Sequence, residues 1–362
     1  SENWGKVNKG ACRALKSEVL LYASSKLHDP ATEPGGPLYN YDKNTKWEDA
    51  AEAAKAVIDM PQYSLQEVDN WEDYTKIFLD NNSEVIFGRP FHPDYGHPKS
   101  FDSYNSPSGP QPCNGWGINN PTHNFVNEFE MSNGKMINEP GSGYNSSVDS
   151  MYKNRELRFY ANIIYNGCQY RGMTMEFYLP DGQNSKNGPF GWNYVRTGYA
   201  IRKWQNNKQE DFFSVRETHP YIYYRLAEFY LNYAEAQYHL GNEDAARESI
   251  NKIRNRVHLP DIQTSGEELL KDIRHERKIE LCFERHRFFD VRRWMIAEKT
   301  GEVNKKGLQW KKVDANGNLD PNGELIYEII SMGERSFGKR MYYLPIPLME
   351  INKSGMKQNA GY

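Results

Sequence analysis

With 362 residues, Lys+Arg 45 against Asp+Glu 48 and a net charge of −3, the chain lacks the basic excess with which nucleic-acid binders displace counterions from phosphates. Hydrophobic residues reach only 38%, and no apolar run approaches the ~20 residues of a membrane-spanning helix. Aromatics nonetheless make up 14%, with Tyr 25, Phe 16 and Trp 8, side chains whose flat faces and polar tips suit half-buried surfaces and binding platforms.

The first predicted element is a helix over Lys9–Ser24, where Ala11, Leu15, Val19 and Tyr22 recur at helical spacing. A second follows over Trp47–Met60, with Trp47, Ala50, Ala54 and Val57 in phase and Pro61 as its stop. Residues 25–46 form an insertion between them. Strand-like runs occur at Glu84–Phe87, Phe159–Tyr165 and Tyr342–Ile346. Residues 88–150 and 179–199 are rich in Gly, Asn, Pro, Ser and aromatics with little periodicity; loops of this length are functional or disordered, and their aromatic content favours order.

A third helix is predicted over Ile222–Leu240, with Leu226, Tyr230, Tyr233 and Gln237 on one stripe. Gly241 stops it and Asn242 is positioned as the next N-cap. Glu243–Val257 follows with Ala246, Ile250, Ile253 and Val257 in phase, so the two helices form a hairpin of tetratricopeptide type. The first two helices read as a similar hairpin. A longer helical stretch runs from Glu267 to about Ala297. Its pairs Arg277–Glu280, Glu284–Arg287 and Asp290–Arg293 stand at i,i+3, which reads as a structural ion-pair network, with Leu281, Phe288, Val291 and Met295 burying the other face.

Sites of chemistry are not apparent. His275, Cys282 and His286 align on a continuous helix, but no fourth zinc ligand is in view, and Ile279 breaks HExxH, so no metal site is assigned. Cys12, Cys113, Cys168 and Cys282 form no CxxC pair; Cys12 and Cys282 read as small core residues, and two disulfides would be possible only with export. A nucleophile elbow, a P-loop and a dinucleotide fingerprint are all missing, since Gly141-Ser142-Gly143 lacks a third glycine. A pair of acids for glycoside hydrolysis can always be nominated among 48, so nomination carries no weight.

Three passages resemble the SusD/RagB family. Arg274–Trp294, reading RHERKIELCFERHRFFDVRRW, is similar to the family's ERR-x-EL-x-FEG-HR-FFD-LRRW, with Arg285 where Gly is common. Arg225–Ala236, reading RLAEFYLNYAEA, resembles RLAE-x-YL-x-YAEA. The C-terminus, Tyr343-Leu344-Pro345-Ile346-Pro347 through Gln358-Asn359-Ala360-Gly361-Tyr362, resembles YL-PIP…QNPGY, with Ala360 in place of Pro. Weaker echoes occur at Lys9-Gly10-Ala11, Asn127–Gly134 and Arg158-Phe159-Tyr160. The resemblance implies that the chain, which opens on Ser1, corresponds to the C-terminal two thirds of the family's usual length, the first third with its signal, lipidated cysteine and early repeats being the part expected to be missing from it.

The expected fold is therefore mostly α: tetratricopeptide-like helical hairpins with a large loop-rich ligand face and minor β-structure. Residues 1–362 would form a single domain, with 88–199 as its mainly irregular ligand-face region and 222–298 as its helical repeat core. The resemblance implies a lipid-anchored protein on the extracellular face of the outer membrane of Bacteroidetes. It would bind glycans or oligosaccharides without catalysis and deliver them to a SusC-like TonB-dependent transporter. Sugar rings stack their C–H faces on aromatic rings, which makes Trp116 and Trp192, each in a glycine-rich run, the leading ligand-binding candidates, followed by Tyr170, Arg171, Tyr144 and Tyr104. No cofactor is indicated, although Asp94, Asp102, Asp149 or Asp181 could bind calcium. The alternatives are a tetratricopeptide-type protein–protein scaffold and a helical-toroid glycoside hydrolase.

Overall fold

The computed structural model describes residues 4–29, 46–92, 94–96, 99–209, 217–301, 304–359 and 361–362. Most of the predicted insertion, residues 30–45, and Ala360 of the C-terminal motif lie outside the described residues.

Helix α1 (Lys9–Ser24) starts where the Asn8 side chain accepts the Ala11 N–H at 2.9 Å, satisfying one of its orphan donors. It packs against α2 (Lys46–Ile58), whose Ala50, Ala51, Ala53 and Ala54 are buried and let the backbones approach closely. The contact stripe of α1 is rotated from the predicted one. Gly10, Ala11, Ala14, Ser17 and Leu21 face inward, whereas Leu15 and Val19 are exposed, as is Cys12. Small residues dominate that face because, facing the alanines of α2, they let the two backbones approach closely.

Chain order continues with α3 (Trp71–Leu79), β1 (Val85–Arg89), α4 (Lys99–Asn105), α5 (His123–Val126) and α6 (Leu157–Asn162). Four short strands follow, β2 (Ile163–Tyr165), β3 (Gln169–Tyr170), β4 (Met173–Thr174) and β5 (Tyr199–Ile201), and then β6 (Tyr221–Arg225). The run predicted as strand over Phe159–Tyr165 is thus helical up to Asn162. The predicted third helix starts late: residues 221–225 are a strand, antiparallel to β1 with Val85 opposite Arg225 and Arg89 opposite Tyr221. The aromatic and β-branched run Tyr221-Ile222-Tyr223-Tyr224 suits a ladder, and a partner more than a hundred residues away supplies it. Strands β2 and β5 pair, as do β3 and β4.

Helices α7 (Leu226–His239) and α8 (Glu243–Arg256) make the predicted hairpin, and α9 (Gly266–Glu280) closes on both. Trp47 of α2 stacks on His239 of α7 at 4.0 Å, joining the two hairpins into one layer. Asn242 precedes α8 but its side chain donates to Gln237 at 2.7 Å instead of capping. Beyond α9 lie α10 (His286–Arg293), α11 (Ala297–Gly301), a hairpin of β7 (Lys306–Val313) and β8 (Glu324–Ser331), and α12 (Leu348–Ser354). Tyr342–Ile346 is not a strand; a short 3₁₀ turn ends at Tyr342. All four cysteines are free thiols.

The stretch predicted as one helix from Glu267 to Ala297 is broken after Glu280, because Phe283 and Arg285 take left-handed φ values of 60° and 67°. Position 285 is where the resembling motif carries glycine, which adopts that conformation without a Cβ penalty. Arg285 lies over the Tyr223 ring at 4.8 Å. Arg285→Gly and Arg285→Ala both remove that contact, so their difference isolates the backbone. The glycine variant should be more stable by about 1 kcal/mol in urea unfolding; equal stabilities would show that the turn relaxes.

The break also leaves the predicted apolar face only in part: Leu281 is buried and Val291 and Met295 are partly buried. Glu276, Arg277, Glu280, Glu284, Asp290 and Arg293 are buried, while Phe288 and Phe289 are exposed. Of the three predicted i,i+3 pairs only Asp290–Arg293 forms, at 2.8 Å. The other charges find distant partners. Glu280 accepts from Arg158 at 3.0 Å and Arg225 at 2.7 Å, and also pairs with Arg256. Arg225 further binds Glu84 at 2.9 Å and Glu284 at 2.7 Å, and Lys203 reaches Glu284 at 2.6 Å. A second knot joins Arg277 to Asp290 at 2.9 Å, and Arg293 and the Trp294 indole N–H to Glu235, both at 2.6 Å.

Burial alone would raise the Glu235 carboxyl, but the charge and hydrogen bonds of Arg293 hold it down at about 2. Its contribution is complete above its unfolded value near 4.5 and is lost as pH falls from there towards 2. That window is worth about 3 kcal/mol of stability in the wild type. Glu235→Gln should therefore be less stable near pH 6 and show a shallower loss in acid urea titrations; an unchanged slope would contradict the pairing.

Candidate functional site

The chain between α4 and α5 doubles back on the end of α4. The Trp116 N–H donates to the Ser103 carbonyl at 2.6 Å and that of Gly117 to Ser106 at 3.0 Å. Ile118 and Asn119 both donate to the Tyr104 carbonyl, at 3.0 and 2.9 Å. Glycine is required here: a Cβ at Gly115 would stand 2.3 Å from the Ser106 carbonyl oxygen, and one at Gly117, which has φ +53°, 2.4 Å from that of Asn193. The latter approach brings the loop carrying Trp192 against the loop carrying Trp116. The Arg196 N–H, donating to the Asn120 side chain at 3.0 Å, fastens the same junction.

Rings project from this frame. Trp116 and Tyr104 are 38% and 37% exposed and tilt against each other with centroids 5.4 Å apart. Trp192, 73% exposed, sits in a short turn over Gly191–Asn193 and meets Phe190 edge-on at 5.6 Å. Ile118 is exposed beside them in sequence. The sequence reading missed Phe190 and Ile118, although Phe190 lies in the same glycine-rich run as Trp192. Behind the rings, burial pushes the Asp102 carboxyl up to about 8, and the charge of Glu217 adds to the rise, so at neutral pH that position is mostly uncharged.

Tyr170 and Arg171 do not join this surface, and the expectation of an exposed aromatic at 170 is corrected. The β3–β4 hairpin turns Tyr170 inward, where it is fully buried with Arg202 over its ring at 5.6 Å. Its hydroxyl shares a hydrogen bond with Ser106 at 3.0 Å, and Ser106 donates to Gln205 at 3.1 Å. Arg171 is also buried; its backbone N–H donates to Asn207 at 2.7 Å and its Nε to the Tyr170 hydroxyl at 3.2 Å. Both residues brace the Trp116 loop from beneath. Tyr144 is half-buried against the core, with its hydroxyl bonded by Asn154 and its carbonyl accepting from Ser142 at 2.9 Å.

Two cavities lie elsewhere. One of about 450 Å³ is lined by residues of α1, β1, β6 and the start of α10; another of about 680 Å³ lies between the α9–α10 turn and residues 297–341. The helix break separates His275 from Cys282 and His286: His275 bonds the Glu128 carbonyl at 2.8 Å instead. Asp94, Asp149 and Asp181 are exposed and Asp102 is buried; none belongs to a metal-spaced cluster among the described residues.

A model of the SusD family matches residues 83–362. Among solved structures, a SusD-like protein from Bacteroides fragilis NCTC 9343 superposes with a TM-score of 0.77 at 28% identity, over 100% of this chain and 66% of that one. A SusD-like carbohydrate binding protein from the same organism gives 0.69 at 21%, over 97% and 65%. Surface glycan-binding protein A from Bacteroides thetaiotaomicron gives 0.62 at 17%, over 99% and 62%. The latter two are likenesses of fold alone, and this chain spans less than two thirds of the length of each of the three. Comparison with curated proteins returned no match.

Proposed function

This chain belongs to the SusD family, and on that premise we propose that it binds glycans at the cell surface without catalysis and hands them to a TonB-dependent outer-membrane transporter. The observation that carries the reading is the pair of aromatic edges, Tyr104–Trp116 and Phe190–Trp192, held on adjoining glycine-pinned loops. Stacking of sugar C–H faces on such rings supplies affinity, and exposed amides on the same loops, Asn119 and Asn187, serve the hydroxyls. Rings fixed by backbone hydrogen bonds lose little freedom on binding, which favours recognition by a preformed surface. Residues 88–199 supply that ligand face, and the helical core positions it. Two proteins of similar fold are described as carbohydrate binding and as glycan-binding, which agrees with this reading. A lipid anchor on the extracellular face of the outer membrane and a SusC-like partner are the further expectations of the family.

The test is retention of the protein on a panel of immobilised polysaccharides, with reducing ends counted in the same tubes. Retention on one glycan without released product is the expected result. Steady release of reducing ends would make the protein a hydrolase, and failure on every glycan would remove the sugar reading.

A further inference from the structure

Glu18 of α1, Glu228 of α7 and His286 at the start of α10 each bring one ligand atom to within 4.8 Å of the other two. Glu18 and His286 line the 450 Å³ cavity, which opens beside the exposed stripe of α1. Glu228 and His286 are 1% and 6% exposed, with His286 Nε2 standing 3.8 Å from Glu228 Oε2. The other Glu228 oxygen, Oε1, is buried with no hydrogen-bond partner among the described residues. A buried carboxylate oxygen left in that state is costly. Arg225 is held by Glu84, Glu280 and Glu284, and Arg277 by Asp290 through Nε and Asn232 through Nη1, which leaves Arg277 Nη2 as a second buried group with no partner among the described residues. Glu18 accepts from the Tyr224 hydroxyl at 2.7 Å, which orients it towards the cavity.

We infer that Glu18, Glu228 and His286 form a binding site for a first-row divalent transition ion of the zinc type. One imidazole nitrogen with two carboxylates is a donor set that zinc accepts, whereas calcium and magnesium prefer oxygen alone. Zinc bonds of about 2.0–2.1 Å place tetrahedral ligand atoms roughly 3.3 Å apart. Ion binding would require rotation of the three side chains to close the remaining gap, and the cavity that Glu18 and His286 line is on the side where water would take the fourth position. The charged groups facing the site are Arg277, Arg225, Glu284 and Asp290 behind it and Arg285 at the cavity wall.

The experiment is calorimetric titration of the metal-free full chain with Zn²⁺, in two buffers of different ionisation enthalpy, beside Co²⁺ absorption spectra. One ion per chain is expected. Glu228→Gln and His286→Ala should each weaken binding at least about 100-fold, beyond the ~10–100-fold typical of outer-shell partners. Glu18→Gln, on the partly exposed α1, carries the same test should His286→Ala fail to fold. Cys12 lines the same cavity, so Cys12→Ser is the control: it should leave affinity unchanged and the Co²⁺ spectrum without a thiolate band. No uptake, or uptake that survives Glu18→Gln and Glu228→Gln but not Cys12→Ser, would overturn the assignment.

Discussion

Replacing Glu280 with leucine should cost about 3–5 kcal/mol in urea unfolding, more than any exposed substitution in the chain. Glu280 is fully buried and is shared by Arg158, Arg225 and Arg256, contributed by α6, β6 and α8. Burial by itself would raise its carboxyl, yet Arg256, Arg225 and Arg158 together hold it well below the usual carboxylate range. Removing the anion leaves three guanidinium groups out of water with one fewer acceptor, and that uncompensated charge is the source of the loss. Arg225 and Arg158 keep other carboxylates, Glu84 and Glu284 for the former and Glu156 for the latter. Among the described residues Arg256 keeps only the Glu84 carboxylate, at 2.7 Å. Relief should therefore be greatest when Arg256 is removed as well. The double variant Glu280→Leu with Arg256→Met should recover more than 1 kcal/mol relative to the sum of the singles, on the coupling range of about 0.5–3 kcal/mol for contacting groups. A single-variant loss under about 1 kcal/mol would mean that water reaches the knot. Such a knot is weak support for stability as such, but its connections fix how three elements distant in sequence meet.

How far the sequence reaches depends on how local each interaction is. The α7–α8 hairpin is legible because Ala246, Ile250 and Ile253 repeat at helical spacing, the first two burying with Ala234 and the third with Ala227 and Leu231. Strand β6 is not, since Tyr221–Arg225 is compatible with either period and its partner β1 lies far away in the chain. The faces of α9 and α10 are misread for a related reason. Charges at i,i+3 suggest a solvated stripe, and nothing local reveals that Arg158, Arg225 and Lys203 arrive from other elements to meet them. Arg285 is the exception: its place in a motif that carries glycine marks the left-handed turn where the long helix ends. At the site, glycine-flanked Trp116 and Trp192 are legible as exposed rings because Gly115 and Gly117 leave no space for alternatives. Tyr170 has the same composition signal but a two-residue hairpin reverses its direction, and strand direction is set by long-range pairing.

On the glycan that retains the protein, Trp116→Ala should weaken binding about 30-fold, the ~2 kcal/mol of a central aromatic anchor. Trp192→Ala should act comparably, and Tyr104→Ala less, because the Tyr104 ring presents an edge to Trp116 as well as to solvent. Fold stability should stay within about 0.5 kcal/mol of wild type for Trp192→Ala, whose ring is 73% exposed, and fall by about 1–2 kcal/mol for Trp116→Ala and Tyr104→Ala, whose rings are more than half buried. Tyr170→Ala gives the contrast: it removes a buried ring and should cost about 3–5 kcal/mol of stability, with binding affected only through the Ser106 loop. Trp116 and Tyr104 touch, so their double variant should lose less than the sum of the singles, whereas Trp116 with Trp192 should add if the two rings hold different sugar units. Additivity would then measure the ligand: a saccharide long enough to reach both loops shows it, and a shorter one loses the Trp192 contribution alone. Unchanged affinity in all three single variants, with the fold intact, would place the ligand face away from these loops.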